Sequence, residues 1–329
     1  MKILVAESVA DEGLAILRAR HEVDVRLGLP RSDLLAALPD YDGLVVRSQV
    51  RVDADAIAAG SRLAVIGRAG VGVDNVDVDA ATRAGIVVVN APTGNTIAAA
   101  EQTLALLFSL ARHVAAADAS VRRGEWKRGA FAGVELDGRT LGIVGLGRIG
   151  MAVADRARGL GMRVIGHDPV VPADAASAHG VEPCPLDEVL ARADVLTLHV
   201  PVTSETRGLI GAPQLARMKP TAYLLNVSRG SVVDEAALAD ALRAGRLAGA
   251  ALDVYASEPP AGSPILDAPN TVLTPHLGAS TAEAQIRVAV EAAEQVLDVL
   301  DGRPARYAVN APAAPRIPGP PPAGPAGRA

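Results

Sequence analysis

The chain has 329 residues, enough for two domains with cores of their own. Half are hydrophobic but only 2% are aromatic, so the core rests on Ala, Val, Leu and Ile, a composition that favours α/β packing. The net charge of −5 without a basic cluster argues against nucleic acid, no segment has the apolar length of a membrane span, and the lone Cys184 excludes an internal disulfide and points to a reducing, cytoplasmic compartment.

The N-terminus, from Met1 to Glu7, reads as a short strand with an early acid rather than a secretory leader. Strands are predicted at Lys2–Val5, Val23–Arg26, Gly43–Val46, Ala64–Gly67 and Ile86–Val89, with amphipathic stretches such as Glu12–Arg20 and Arg31–Leu38 between them. Alternation of this kind implies a parallel, doubly wound sheet. Thr96–Val121 reads as one long helix, started by Asn95 or Thr96 and ended by Gly124. Six further strands are predicted at Leu141–Gly145, Arg163–His167, Val195–Val200, Ala222–Val227, Ala250–Val254 and Val272–Thr274, which suits a complete dinucleotide-binding sheet. A helix over Thr281–Leu300 and a last strand over Arg306–Val309 return the chain to the first domain. The expected organisation is therefore an α/β chain of two doubly wound parallel-sheet domains. A discontinuous flavodoxin-like substrate domain (1–96 and 284–310) encloses a Rossmann domain (97–283), and 311–329 forms a disordered Pro/Ala/Gly tail.

The stretch Gly145-Leu-Gly-Arg-Ile-Gly150 falls between a predicted strand and a helix start. Gly145 permits the turn, Gly147 lets backbone amides approach a diphosphate, and Gly150 lets the helix pack on the strand. The helix that follows opens with unpaired N–H groups and partial positive charge, which favour phosphate. The next strand ends at Asp168, whose carboxylate suits the two ribose hydroxyls of NAD and repels the extra phosphate of NADP.

Three more clusters follow predicted strands. Asn226-Val-Ser-Arg-Gly230 offers Arg229, which can hold a substrate carboxylate with two parallel hydrogen bonds, or else is a surface turn residue. Asp253-Val-Tyr-Ala-Ser-Glu-Pro-Pro260 offers Glu258, or else an exposed loop acid. Pro275-His-Leu-Gly-Ala-Ser-Thr281 offers His276 between a strand end and a helix start. Hydride transfer at a carbon bearing oxygen needs a group that moves one proton, an acid that steadies it, and a cation for the substrate carboxylate. His276, Glu258 and Arg229 fit these roles.

With these pieces in order, the chain resembles the D-isomer-specific 2-hydroxyacid dehydrogenases, and within them the D-3-phosphoglycerate dehydrogenase branch. Gly67-Arg-Ala-Gly-Val-Gly-Val-Asp-Asn-Val-Asp77 belongs to the same resemblance, which runs from about Met1 to Ala311. The resemblance implies NAD as cofactor, a small 2-hydroxy or 2-oxo acid as substrate, and Arg229, Glu258 and His276 as the catalytic set. It implies cofactor contacts at Val71, Arg148, Ile149, Val200, Pro201, Thr206, Val227, Ser228, Asp253, Gly278 and Ala279, and His199 is expected beside the cofactor from its own place at a strand end. Substrate contacts fall at Arg47, Ser48, Val71, Gly72, Arg229 and His276. It implies no metal, and subunit contact through the Thr96–Val121 region in a homodimer or homotetramer.

Two departures stand out. The phosphoglycerate branch often has Thr two residues after the Arg-Ser pair, where this chain has Gln49 and then Val50. The sequence also leaves the family pattern after Val309-Asn-Ala-Pro312, so a serine-binding regulatory domain is not expected in it. Hydroxypyruvate, glyoxylate or a phosphonate-bearing 2-oxo acid are the alternative substrates, with Lys127 and Arg128 after Trp126 either touching a phosphate or forming a solvated turn. A different class, an NAD(H)-sensing corepressor that binds protein partners, is the competing function. It is disfavoured by retention of all three catalytic residue types.

Overall fold

The computed structural model describes residues 1–316. The chain divides into two compact units, one made of Met1–Asn95 with the segment that begins at Thr281, the other of Thr96–Ser280.

The first unit holds a five-stranded sheet of β1 (Lys2–Val5), β2 (Glu22–Val25), β3 (Gly43–Val46), β4 (Val65–Arg68) and β5 (Val87–Asn90). All pairings are parallel and the order is β2-β1-β3-β4-β5, the flavodoxin-like arrangement. Ile3, Leu4, Leu44, Val65 and Ile66 are fully buried, as expected of strands covered by helices on both faces. The helix Ala282–Leu300, capped by Thr281, packs across this sheet with Val296 and Leu300 inward. The predicted last strand is reduced to a single antiparallel bridge between Ala308 and Val89, because Arg306 and Tyr307 form a turn before it. Of the stretch read as a disordered tail, residues 311–316 are described. Arg316 donates its backbone N–H to Gly85 and its guanidinium to the carbonyls of Gly60, Ser61 and Leu63. The remainder of that stretch lies outside the described residues.

The second unit holds seven parallel strands: β6 (Thr140–Val144), β7 (Arg163–His167), β8 (Glu182–Pro183), β9 (Val195–Leu198), β10 (Tyr223–Asn226), β11 (Gly249–Leu252) and β12 (Thr271–Leu273). Their order is β12-β11-β10-β9-β6-β7-β8, so the direction of winding reverses between β6 and β9. The two-residue β8 was not anticipated, being too short to leave an apolar run. The predicted helix Thr96–Val121 is two helices, Thr96–Ala111 and Val114–Arg122, bent by 61°. His113 between them is left-handed at φ 53°, and Thr96–Ala111 alone packs on the sheet through Leu106, Leu107 and Leu110. Among the described residues no single helix is long and apolar enough to cross a membrane.

Candidate active site

Ligands of doubly wound sheets bind beyond the carboxyl ends of the strands where winding reverses. In the second unit that point lies between β6 and β9. Gly145 leaves β6 at φ +95°, and a Cβ there would overlap the carbonyl of His199 at the end of β9. Gly150 lies so close to the Gly145 carbonyl that only glycine fits. Gly147 is different. Its φ of −70° suits any residue, and an added Cβ would meet nothing within 4 Å. The fold does not need glycine there; the open space above the N-terminus of the helix Arg148–Gly159 suits a diphosphate lying against the amides of Arg148 and Ile149.

Asp168 follows β7, the strand next to β6. Its Oδ2 accepts the Leu146 N–H at 2.8 Å, within the glycine turn, and Oδ1 accepts from Val170 and Val171 at 2.8 and 3.1 Å. The acid is thereby fixed beside the turn. His199 pairs through Nε2 with Thr197 Oγ1 at 3.0 Å, and burial pushes its pKa down to about 4, so the ring is neutral near pH 7. Val200 and Pro201 follow, and Thr206 donates its hydroxyl to the Pro201 carbonyl at 2.6 Å, closing the turn.

The three proposed catalytic side chains lie after β10, β11 and β12. Asn226, fully buried, shapes the first loop: Nδ2 donates to the Arg229 carbonyl at 2.9 Å, and Oδ1 accepts from Ser228 N and Oγ at 3.0 and 2.8 Å. Val227 is packed beneath, and Gly230 meets the Tyr255 backbone with no room for a Cβ. The Arg229 side chain is held partly buried, donating from Nη1 to the Ser228 carbonyl at 2.8 Å.

Asp253, also fully buried, shapes the other loop. Oδ1 accepts from Thr274 Oγ1 at 2.6 Å and Leu277 N at 2.8 Å, and Oδ2 accepts from Gly278 N at 2.8 Å. Ala279 continues this loop after Gly278. With the His276 N–H donated to the Asp253 carbonyl at 2.8 Å, these bonds hold His276 at φ +57°, a conformation that L-residues otherwise avoid. Tyr255 donates its hydroxyl to the Thr274 and Leu252 carbonyls at 3.0 and 3.3 Å, and burial beside Asp253 pushes its pKa up to about 12. The result is a direct pair: His276 Nδ1 stands 2.7 Å from Glu258 Oε2, while Glu258 Oε1 accepts the Tyr255 N–H at 3.2 Å. A carboxylate facing Nδ1 assigns the proton to that nitrogen and leaves Nε2 as an acceptor.

Arg47, Ser48, Val71 and Gly72 belong to the first unit, beyond the carboxyl ends of β3 and β4. Their loops are organised by residues to which the sequence assigned no role. Glu7 is buried and accepts the backbone N–H groups of Arg47, Gln49 and Val50. Asn75 donates to the Arg47 and Val50 carbonyls, and Asn90 to that of Val71. An acid directly after an apolar strand is the sequence signal that marks Glu7.

Lys127 and Arg128 lie on the surface of the second unit, and Lys127 pairs with Glu125 at 3.3 Å. Buried Cys184 sits with Glu182 and Glu188, where Arg192 bridges the two acids at 2.7 and 2.5 Å and so occupies the place a cation would take.

Comparison with known proteins gives a consistent answer. The family described as "D-isomer specific 2-hydroxyacid dehydrogenase, NAD binding domain" matches residues 104–278. A D-3-phosphoglycerate dehydrogenase of Synechocystis is 50% identical over 298 residues, 91% of this chain and 54% of that protein. The chain spans about half the length of the curated relatives it matches. The TT0316 protein of Thermus thermophilus has a crystal structure with TM-score 0.85 and 41% identity, covering 94% of this chain and all of that one. A glyoxylate reductase of Paecilomyes thermophila has TM-score 0.85 at 30% identity, covering 94% and 98% of the two chains.

Proposed function

This chain belongs to the D-isomer-specific 2-hydroxyacid dehydrogenase family, and we propose that it interconverts D-3-phosphoglycerate and 3-phosphohydroxypyruvate with NAD. The observation that carries the reaction class is the His276–Glu258 pair at 2.7 Å, beyond the same sheet edge as Arg229 and the glycine turn. The choice of substrate is supported by relatives near 50% identity that bear the phosphoglycerate dehydrogenase name.

In the oxidative direction His276 Nε2 takes the hydroxyl proton of the substrate while the C2 hydrogen departs as hydride. Glu258 steadies the imidazolium that forms. Arg229 holds the substrate carboxylate and polarises the C2 oxygen, helped by the amides of Val71 and Gly72. A bound nicotinamide supplies the two-electron chemistry by accepting the hydride. In the reductive direction the proton returns from His276 to the carbonyl oxygen. The Gly145–Gly150 turn and Asp168 would hold NAD, with Val200, Pro201, Thr206, Val227, Ser228, Gly278, Ala279 and neutral His199 as its further contacts. Asp253 contributes by fixing the His276 loop. Arg47 and Ser48 receive the second anion of the substrate.

A glyoxylate or hydroxypyruvate reductase is the second reading, favoured by Val50 and by the glyoxylate reductase neighbour. Retention of the acid–histidine pair argues against a binding-only corepressor. Phe108, Val114, Val121 and Trp126 are exposed between 108 and 126, which supports a homodimer, detectable by light scattering; the lone Cys184 supports a reducing, cytoplasmic compartment. The deciding test is NADH oxidation with 3-phosphohydroxypyruvate, hydroxypyruvate and glyoxylate. The highest kcat/KM is expected for the phosphorylated acid; a higher value for glyoxylate selects the second reading, and NADH binding without turnover selects the corepressor.

A further inference from the structure

The sheet of the first unit has its own reversal of winding, between β1 and β3. Glu7 follows β1 and Arg47–Val50 follows β3, so the two segments meet at that reversal. A carboxylate is an unusual group to bury, and Glu7 is only 8% exposed. Its three donors are all backbone amides of the Arg47–Val50 loop, at 2.8 Å for Arg47, 3.1 Å for Gln49 and 2.9 Å for Val50. Ser48 N–H is outside this set. Such convergence of amides on one acceptor fixes a loop that has neither helix nor strand to hold it.

The opposite polarity of the same loop is met by Asn75. Its Nδ2 donates to the Arg47 carbonyl at 2.9 Å and the Val50 carbonyl at 2.7 Å. Asn75 is itself tied back, because its carbonyl accepts Val52 N–H at 2.8 Å. The residue after Glu7 completes the device: the Ser8 carbonyl accepts a long bond, 3.4 Å, from Arg47 Nη1. Backbone and guanidinium of Arg47 are thus both set from the end of β1.

We infer that Glu7, with Asn75, is a positioning residue for substrate selection: it presents Arg47 to the second anion of the substrate and leaves proton transfer untouched. This rests on the reading of Arg47 as a substrate contact. A merely structural Glu7 and a positioning Glu7 make different predictions. Loss of packing lowers activity on every substrate alike. Loss of Arg47 placement raises KM for an acid with a second anion far more than for glyoxylate, whose single carboxylate is held by Arg229 and the Val71–Gly72 amides.

The test combines two measurements. In the wild-type protein, native-state hydrogen exchange should show slow amides at Arg47, Gln49 and Val50 and a fast one at Ser48; uniform fast exchange across 47–50 overturns the inference without any variant. In Glu7→Gln, which keeps the size but offers one acceptor oxygen, KM for 3-phosphohydroxypyruvate should rise about tenfold or more while kcat and the glyoxylate KM stay within about twofold. Glu7→Asp, which keeps both oxygens, should recover part of that loss. Equal KM changes on both substrates, or a fall in kcat alone, overturn the inference. Failure of the substrate reading is seen separately, as absent turnover of 3-phosphohydroxypyruvate by the wild-type enzyme; the exchange pattern then still decides whether Glu7 sets the loop.

Discussion

Replacing Glu258 by Gln isolates the electrostatic part of catalysis. The amide oxygen can still accept the Nδ1 proton of His276, so ring orientation and tautomer are kept and only the charge is lost. The charged pair meets at 2.7 Å, with the side chains 48% and 39% exposed. For charge centres about 4 Å apart in an effective dielectric of about 40, the attraction is about 2 kcal/mol. That energy is gained as the imidazolium forms, so kcat for oxidation should fall by about 30-fold, within a range of about 10 to 100. Steady-state oxidation of D-3-phosphoglycerate at saturating NAD measures it, with NADH fluorescence titration confirming an unchanged cofactor Kd. A fall below about threefold, or a change confined to KM, refutes the electrostatic argument.

Other substitutions probe separate links. Gly147→Ala should leave Tm within about 1 °C yet weaken NAD binding at least tenfold, whereas Gly150→Ala should lower Tm by several degrees, because only the second site is filled by the chain itself; calorimetry with and without NAD distinguishes them. Asp168→Ala should raise the NADPH to NADH ratio of kcat/KM by about tenfold or more and lower Tm, since three amides lose their acceptor; an unchanged ratio means the acid does not meet the ribose. His199 has a folded pKa near 4 against 6.5 unfolded, so its neutral form stabilises the fold above about pH 6.5 and that stability is lost as pH falls towards 4. Between pH 7 and 5 this amounts to about 1–2 kcal/mol, and His199→Asn should show a correspondingly smaller loss in denaturant titrations.

The strands were legible because parallel strands buried on both faces are short Val, Ile and Leu runs, and the glycine turn because its spacing is dictated by a close approach. The bend at Arg112–His113 was not legible: the Ala- and Leu-rich pattern runs on without Gly or Pro, and nothing in it signals the left-handed conformation of His113. The final strand was over-read: in Arg306-Tyr-Ala-Val309 the first two residues form a turn, and only Ala308 finds a bridge rather than a ladder. Within the site, Arg229, Glu258 and His276 could be named because their chemistry marks them. Asn75, Asn90 and Asn226 could not, because they act on backbone groups and leave no periodic trace; Glu7 left only the signal of an acid after an apolar strand. Asp253 illustrates the limit: the sequence reading makes it a cofactor contact, whereas the structure shows its carboxylate committed to Thr274, Leu277 and Gly278.

The central claim is that His276 moves the substrate proton. Single-turnover reduction of 3-phosphohydroxypyruvate by NADH, compared between the wild type and His276→Ala, tests it most directly. The variant should bind NADH with unchanged affinity and react about two to four decades more slowly. A properly folded variant that reduces the acid at close to the wild-type rate contradicts the account.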